Sequence, residues 1–267
     1  MIYTTNNLEL HLTHLCNLHC DHCSHFSNYQ HLGLLELEKA RVWMSAWGKR
    51  VRPHVLVLLG GEPTIHPMLS AFLFLARECF PDTTIRLVTN GSFLHQHPGL
   101  PETSKATDVE ISVTRHIGQP EDLRRFGGVE LLVEDWRSKG IKISIPEPYP
   151  WMVRYQGQGE TMMPFEDGDP AQSWEICSDP VHRCVQLHEG NLWKCPVVAY
   201  LPMMKLKYPN LSQAWDLVLA YKSLSPAASD EEVIEFFNRH EEPVCGLCPG
   251  RRIRGREHSS LSILPGT

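Results

Sequence analysis

The sequence has no apolar run that approaches the roughly 20 residues a membrane-spanning helix needs. Its first residues, MIYTTNNLELHLTHLCN, lack a basic segment followed by an apolar stretch, so no secretory signal is expected. The formal net charge of −6 gives no electrostatic reason to expect a nucleic-acid partner. These absences predict a cytoplasmic protein that binds neither a membrane nor nucleic acid.

Internal repeats and low-complexity tracts are also absent. The 267 residues are 42% hydrophobic and 21% charged, which is typical of a folded globular protein rather than a disordered one. A chain of this length buries a substantial core. We therefore expect one large domain or a main domain with an appendage.

The nine cysteines are an odd number, and no secretory signal is expected, so metal ligands or reactive thiols are favoured over disulfides. Three stand at positions 16, 20 and 23, and five more at 177, 184, 195, 245 and 248. Solitary Cys79 lies in an apolar segment and is predicted to be a core residue. The grouping indicates two separate thiol sites.

The first two thirds of the chain alternate between β-like and helix-like segments, a pattern that favours parallel strands with crossover helices. Predicted strands are Leu8–Thr13, Val55–Leu59, Thr84–Thr89, Val109–Thr114 and Ile141–Ile145. Predicted helices are Glu36–Trp47, Pro67–Phe80 and Val129–Lys139. This alternation predicts an α/β fold.

The last third has a different character. Residues 146–173 are rich in Pro, Gly and polar residues without a clear period, which indicates a junction or a substrate loop. The segment CVQLHEGNLWKC predicts a β-hairpin turning at Glu189-Gly190. Helices are predicted over Leu211–Ser223 and Asp230–Arg239.

The first cysteine group has the spacing C-x3-C-x2-C in HLTHLCNLHCDHCSHF, directly after the first predicted strand. Thiolates are the usual ligands of iron-sulfur clusters, and three of them leave one iron of a four-iron cluster open to a substrate. The alternative is a zinc site whose fourth ligand is a nearby histidine, drawn from His14, His19, His22 and His25.

A second motif follows the second predicted strand: Gly60, Gly61, Glu62 and Pro63 in LVLLGGEPTIHP. With both motifs in this order, the chain resembles the radical S-adenosylmethionine (SAM) superfamily from about residue 8 to residue 145. The resemblance implies a partial (β/α) barrel of five or six repeats. It also implies a SAM-binding 4Fe-4S cluster on Cys16, Cys20 and Cys23, and contact between the GGEP residues and the methionine end of SAM. His22 stands where the family commonly has an aromatic residue.

The resemblance also implies cofactor contacts at three residues that follow later strands. Asn90 lies in VTNG at the end of the third strand, and Ser112 and Arg115 lie in EISVTRH on and after the fourth. Read without the family, VTNG is an ordinary turn at a strand end and Ser112 an ordinary strand serine. Arg115 faces either the cofactor carboxylate or the substrate.

The second cysteine group resembles the ligands of a twitch domain, the shortened form of the SPASM auxiliary-cluster domain. This resemblance implies an auxiliary 4Fe-4S cluster, a small α+β domain over residues 166–267 and a barrel over residues 1–165. The implied ligands are Cys177, Cys195, Cys245 and Cys248. Cys184 is an alternative first ligand, and a zinc ribbon made by the same cysteines is an alternative site.

The implied activity is reductive cleavage of SAM by an external one-electron reductant of the flavodoxin or ferredoxin type, followed by hydrogen abstraction from a substrate. We expect oxidation of a small sugar- or cyclitol-like alcohol, because no peptide-recognition segment precedes the first strand. Alternatives are an epimerase with Cys184 as hydrogen donor, a peptide-modifying maturase, and a non-catalytic iron-sulfur or zinc module. Arg154 and Tyr155 are the predicted substrate contacts.

Overall fold

The computed structural model describes residues 2–116, 120–147, 152–166, 168–177, 184–253 and 260–261. Its strands are β1 Tyr3–His11, β2 Leu18–His19, β3 Val51–Leu59, β4 Thr84–Thr89, β5 Val109–Val113, β6 Ile143–Ser144, β7 Cys184–His188, β8 Asn191–Trp193 and β9 Ser260–Leu261. Its α-helices are α1 Leu37–Gly48, α2 Leu69–Cys79, α3 Leu100–Thr107, α4 Pro120–Ser138, α5 Pro170–Cys177, α6 Pro196–Lys207, α7 Asp216–Leu219 and α8 Asp230–Asn238.

The main sheet has seven strands in the order β6-β5-β4-β3-β1-β7-β8. All neighbouring pairs from β6 to β7 are parallel, and the β7–β8 hairpin is antiparallel. Strands β1, β3, β4, β5 and β6 lie side by side in chain order with a helix between each pair, as crossover units require. The α/β prediction is confirmed, and the arrangement is consistent with a partial barrel.

The principal core lies between this sheet and the helices. Leu8 and Leu10 of β1 are buried with Leu56 and Leu58 of β3 and with the apolar side of α2. Because side chains alternate along a strand, Glu9 and His11 lie on the opposite face of the sheet from these leucines. That face carries buried polar residues, and it is the face that matters for the site described below.

The hairpin β7–β8 extends the main sheet at β1, where Asn7 pairs with Cys184 and Leu10 with Leu187. Its turn at Glu189-Gly190 agrees with the prediction, and both turn residues have positive φ. Residues 184–193 were expected to lie in the second domain, but they are hydrogen-bonded into the sheet of the first. The boundary at 165/166 itself stays a prediction.

Several sequence predictions for single elements need correction. The helix predicted over Leu211–Ser223 is a 3₁₀ turn, Gln213–Trp215, followed by the four-residue α7. The apolar segment Pro196–Lys207 forms α6, which the pattern did not reveal because its apolar residues lie on all sides. The short α3 was also missed. Helix α5 begins at Pro170, inside the segment predicted to be irregular, and α4 begins at Pro120 rather than at the predicted Val129. The remaining predicted strands and helices are present with bounds that differ by at most five residues.

A second apolar cluster lies beside the principal core. It joins α6 and the turn at Trp215 to Phe26, Tyr155 and Met162. This cluster packs the irregular segment after residue 152 against the loop that carries the first cysteines. None of the helices in the described segments is long and apolar enough to cross a bilayer.

Candidate iron-sulfur and cofactor site

The first cysteine group lies in the loop that follows β1, at the edge where the parallel strands end. Burial raises the pKa of the Cys16 thiol, and the nearby Glu62 and Cys23 raise it further. The pKa of the Cys20 thiol is raised by burial and then by Cys23 and Cys16. The charge on one thiol therefore affects the pKa of its neighbours. The three thiols lie close together, as the ligands of one cluster must.

The two glycines of GGEP support this loop directly. The backbone N–H of Gly61 donates to the Thr13 carbonyl at 2.9 Å, and the N–H of Glu62 donates to the Leu15 carbonyl at 2.8 Å. A Cβ on Gly61 would lie 2.1 Å from the Leu15 carbonyl oxygen and 2.9 Å from the Cys16 Cβ. These residues must be glycine because the cysteine loop passes against them, a reason that the sequence did not reveal.

Glu62 connects the second motif to the end of β4. Its carboxylate is fully buried and accepts hydrogen bonds from the Thr64 hydroxyl, the Thr64 N–H at 3.0 Å and the Thr89 hydroxyl. The backbone N–H of Asn90 donates to its other oxygen at 2.7 Å. Burial raises the pKa of Glu62, and the hydrogen bonds from Thr64, Thr89 and Asn90 act against it. Much of the carboxylate is therefore engaged in joining two loops.

Asn90 continues this connection back to the cysteine loop. Its side-chain amide donates to the Asn17 side chain at 2.8 Å, and its side-chain oxygen accepts from the Ser92 N–H at 2.9 Å. The Asn17 amide in turn donates to the Ser92 hydroxyl at 3.0 Å. The loops after β1, β3 and β4 thus form one hydrogen-bonded unit.

The other predicted cofactor contacts lie nearby, with partners of their own. Ser112 is partly buried on β5, between Val88 of β4 and Ser144 of β6. The Arg115 guanidinium forms an ion pair with Glu130 of α4, and its Nε is buried without a hydrogen-bond partner among the described residues. Contact of either residue with SAM stays a prediction.

Glu9 and His25 form a buried polar pair beside Cys23 that the sequence analysis missed. The His25 Nε2 lies 3.6 Å from a Glu9 carboxylate oxygen. Burial lowers the pKa of His25, but the interactions with Cys23 and Glu9 together outweigh burial and raise the pKa to about 9. Burial raises the pKa of Cys23, but its interactions, chiefly those with His25, together outweigh burial and the pKa is lowered. A carboxylate between the two leucines of β1 was the available signal.

Three further histidines and a tyrosine lie around this pair. The His11 ring lies 4.7 Å from those of His14 and His25, and 4.6 Å from Tyr200 of α6, while His188 of β7 lies 5.0 Å from Tyr200. Burial lowers the pKa of His11, so its ring is neutral. Neither ring nitrogen of His11 has a hydrogen-bond partner within the described chain. These residues are distant in sequence, so no spacing pattern predicted the cluster.

The second cysteine group lines a cavity of about 320 Å³ together with Cys184 and Arg154. Cys177 ends α5, Cys195 precedes α6, and Cys245 and Cys248 lie in and after the 3₁₀ turn Pro243–Leu247. Burial raises the pKa of Cys245 and Cys248 to about 12, and the neighbouring thiols of the group contribute to both shifts. The structure thus brings the four predicted auxiliary ligands together.

Cys184 differs from these four thiols in its surroundings. Burial raises its pKa, and the next largest effects come from the charge of Glu9 and a hydrogen bond with Glu9. Cys177 contributes to the pKa shifts of Cys195, Cys245 and Cys248, and it also contributes to that of Cys184 after Glu9. The choice of Cys177 over Cys184 as the first ligand of the group stays a prediction.

Arg154 and Tyr155, the predicted substrate residues, have structural contacts of a different kind. The Arg154 side chain lines the cavity of the second cysteine group, together with Cys177 and Cys248. The Tyr155 side chain is fully buried, stacks on Phe26 at 5.3 Å, and donates its hydroxyl to the Cys23 carbonyl at 3.4 Å. Two adjacent residues therefore reach the two cysteine groups, and a substrate role for either stays a prediction.

The donor atoms at both groups fit iron-sulfur clusters, since each group presents at least three thiols, and those of the second group line one cavity. In the described part of the chain, no three Cys, His, Asp or Glu side chains converge at the geometry of a single metal ion. Residues 10–137, just under half of the chain, match the family model described as the Radical SAM superfamily. This segment is therefore similar to a radical SAM domain.

Solved structures were also compared with the chain. BtrN in complex with AdoMet and 2-DOIA has 19% identity and a TM-score of 0.39, over 54% of this chain and 57% of that chain. BtrN in an open conformation has 12% identity and a TM-score of 0.44, over 89% and 81%. Native anSMEcpe with bound AdoMet and the Cp18Cys peptide has 18% identity and a TM-score of 0.42, over 53% and 42%. The first and third matches thus span about half of those chains. No curated protein matches the sequence significantly.

The matched segment contains Cys16, Cys20 and Cys23, the GGEP residues and the loop at Asn90. Its family assignment supports SAM binding and one 4Fe-4S cluster at this edge of the sheet. The second cysteine group lies outside the matched segment.

Proposed function

We propose that this protein is an enzyme that reductively cleaves SAM and uses the radical to oxidise a small sugar- or cyclitol-like alcohol at a carbinol carbon. The observation that carries the proposal is the hydrogen-bonded unit of three loops at the carboxyl ends of β1, β3 and β4. It combines the cysteine triad, the glycine pair and the Glu62 connection in one place. The geometry suits a cluster with an adjacent cofactor better than three unrelated turns.

The chain's own residues would hold and orient these groups. Cys16, Cys20 and Cys23 would hold the first cluster, and Gly60 and Gly61 let the backbone lie close to it. Through its buried hydrogen bonds, Glu62 keeps the loop after β3 at a fixed distance from the loop after β4. When bound, the cluster and SAM supply a 5′-deoxyadenosyl radical that abstracts a hydrogen atom. An external one-electron reductant of the flavodoxin or ferredoxin type would supply the electron that SAM cleavage requires.

The proposed oxidation removes two electrons from the substrate, so the second electron needs an acceptor. The substrate would lose a hydrogen atom, one electron and its hydroxyl proton, and an auxiliary cluster held by the second cysteine group would supply the acceptor for that electron. An alcohol thereby becomes a carbonyl compound, two hydrogens lighter. Cys177, Cys195, Cys245 and Cys248 are the proposed ligands of the auxiliary cluster, because they share one cavity and influence one another's pKa.

An uncharged, hydroxylated substrate suits the buried face near the first cluster. His11 is neutral there, and its two ring nitrogens are buried without partners in the described chain. A neutral imidazole both donates and accepts a hydrogen bond, as a hydroxyl group requires. These properties support an alcohol rather than a strongly charged substrate.

Epimerisation is the second candidate, and the surroundings of Cys184 favour it. The Cys184 thiol lies on the same cavity as the auxiliary cysteines but interacts mainly with Glu9. This thiol, which is not among the four proposed cluster ligands, could return a hydrogen atom to a substrate radical. Oxidation in heavy water gives a lighter product without solvent deuterium, whereas epimerisation gives an isomer with one deuterium whose formation requires Cys184.

Anaerobic reconstitution of the full chain tests the proposal. We expect about eight irons per chain, four for each cluster, and reductive formation of 5′-deoxyadenosine from SAM with dithionite. Bound zinc without SAM cleavage would instead establish a non-catalytic module and overturn the proposal.

A further inference from the structure

A buried ion pair lies beside the second cysteine group. The Lys194 ammonium lies 3.5 Å from a carboxylate oxygen of Glu242, and the two side chains are only 9% and 4% exposed. Lys194 directly precedes Cys195 in the chain. The carbonyl of Glu242 accepts a hydrogen bond from the Cys245 N–H at 2.8 Å. The ion pair therefore joins two of the segments that carry proposed ligands of the auxiliary cluster.

The Lys194 side chain lines the same cavity as the four cysteines. Its ammonium donates to the Phe236 carbonyl and lies 4.9 Å from the centre of the Phe236 ring and 5.8 Å from that of the Trp174 ring. Because these groups shield the ammonium from solvent, water screens its charge less than that of a surface lysine. The positive charge of Lys194 therefore acts strongly on a group bound in the cavity.

The Glu242 carboxylate is fixed by two further partners. The Tyr221 hydroxyl donates to the same carboxylate oxygen at 3.1 Å, and the Arg239 Nε lies 3.2 Å from it. Arg239 is half-exposed, so water screens its charge more than that of Lys194. These contacts hold the carboxylate beside the Lys194 ammonium, where its negative charge offsets the buried positive charge.

We propose that Glu242 is a positioning residue of the auxiliary centre, which holds the Lys194 ammonium at the cavity and offsets its charge, so that the two residues shift the reduction potential of the cluster in opposite directions. This inference rests on the proposed function. Reduction adds one negative charge to the cluster, which nearby positive charge stabilises and nearby negative charge disfavours. Lys194 therefore raises the reduction potential, and Glu242 limits that rise. The pair thereby adjusts how readily the cluster accepts the second substrate electron.

The test compares reduction potentials of the auxiliary cluster in the full, reconstituted chain by redox titration followed by electron paramagnetic resonance. The signal that is lost in Cys195→Ala identifies this cluster. Lys194→Met removes the positive charge and should lower the potential, while Glu242 keeps its other two partners. Glu242→Gln removes the negative charge and should raise the potential. A purely structural role of the pair does not predict shifts of opposite sign.

Glu235→Gln is the matched control. Glu235 is an exposed carboxylate of α8 whose oxygen lies 3.9 Å from an Arg239 nitrogen. Its removal also takes a negative partner from Arg239, but water screens an exposed pair. The potential of the auxiliary cluster should therefore stay unchanged in this variant.

Shifts of opposite sign in the expected directions support the inference. An unchanged potential or a shift of the wrong sign in either variant overturns it, as does a shift in Glu235→Gln equal to that in Glu242→Gln. If one of the two variants loses the auxiliary iron, the sign of the shift in the other decides. Loss of that iron in both also overturns the inference, because the pair would then support assembly of the site rather than its potential. A wild-type chain with only one cluster would instead contradict the auxiliary centre in the proposed function, so the two failures are distinguishable by iron content.

Discussion

The two cysteine groups are built in opposite ways. The first lies in a single loop, residues 16–23, and the chain just before this loop accepts backbone hydrogen bonds from Gly61 and Glu62. The second is collected from residues 177–248, at the ends of three separate elements around one cavity. The first group depends on close backbone packing at a strand edge, whereas the second depends on tertiary packing and on a nearby cation. Variants at matched positions should separate these two modes.

The largest expected effect comes from replacing a cysteine ligand, which should remove one iron-sulfur cluster and leave the other in place. Cys16→Ala should abolish SAM cleavage and remove about half of the iron, because it takes one of three ligands from the first cluster. Cys195→Ala should also remove about half of the iron but should retain SAM cleavage. Iron analysis and assay of 5′-deoxyadenosine measure both effects. SAM cleavage by the Cys16→Ala protein would refute the first assignment.

A sharper comparison lies within the second group. Cys177→Ala should lose the auxiliary cluster, and Cys184→Ala should keep it, because the Cys184 thiol interacts mainly with Glu9. Iron counts and Mössbauer spectra of the two proteins distinguish the thiols. The reverse result would make Cys184 the ligand and Cys177 the spare thiol.

The backbone packing behind the first group can be tested with glycine substitutions. The new Cβ of Gly61→Ala would lie 2.1 Å from the Leu15 carbonyl oxygen, so the cysteine loop must move. We expect SAM cleavage to fall on the order of 100-fold, as for an ångström-scale misplacement of reacting groups. Gly128→Ala in α4 is the control, since nothing lies within 4 Å of its Cβ. It should leave cleavage unchanged and stabilise the fold by about 0.5–1 kcal/mol.

The smallest expected effect concerns the connection made by Glu62. Glu62→Gln places the N–H groups of an amide against the hydrogen-bond donors that surround the carboxylate. It should lower the free energy of unfolding by about 1–3 kcal/mol. SAM binding should weaken, and the iron content should stay unchanged. Glu110→Gln removes a half-exposed pairing with Arg86 and should cost less than about 1 kcal/mol. Chemical denaturation and equilibrium dialysis of SAM measure these changes. Iron loss in Glu62→Gln would show that the carboxylate supports the cluster itself.

The sequence predicted those parts of the molecule that local patterns encode. The parallel strands follow from short apolar segments alternating with helices, and Cys16, Cys20 and Cys23 stand out by their spacing. The hairpin at Glu189-Gly190 was also predictable from its turn residues, but its pairing with β1 was not, because register over such a separation leaves no local signal.

The contacts of single polar residues were harder to predict. Arg154 lines the cavity of the second cysteine group, and only the tertiary fold brings α5, the turn at Cys245 and residue 154 together. Glu9 could have been noticed as a carboxylate between two leucines of β1. Its partners His25 and Gln186 could not, because one lies in a loop and the other in the hairpin.

The pairing of β1 with β7 has a consequence for synthesis of the protein. Asn7 leaves the ribosome long before Cys184, its partner across the sheet. Until then one edge of β1 presents unpaired N–H and C=O groups. Glu9 and His11 on the polar face of β1 also lack their neighbours in the hairpin. A nascent chain that ends before residue 184 therefore exposes an unpaired strand edge that can associate with other chains. The loop that carries Cys16, Cys20 and Cys23 also lacks its packing against α6. Loading of iron is consequently expected to follow release of the complete chain rather than to accompany translation.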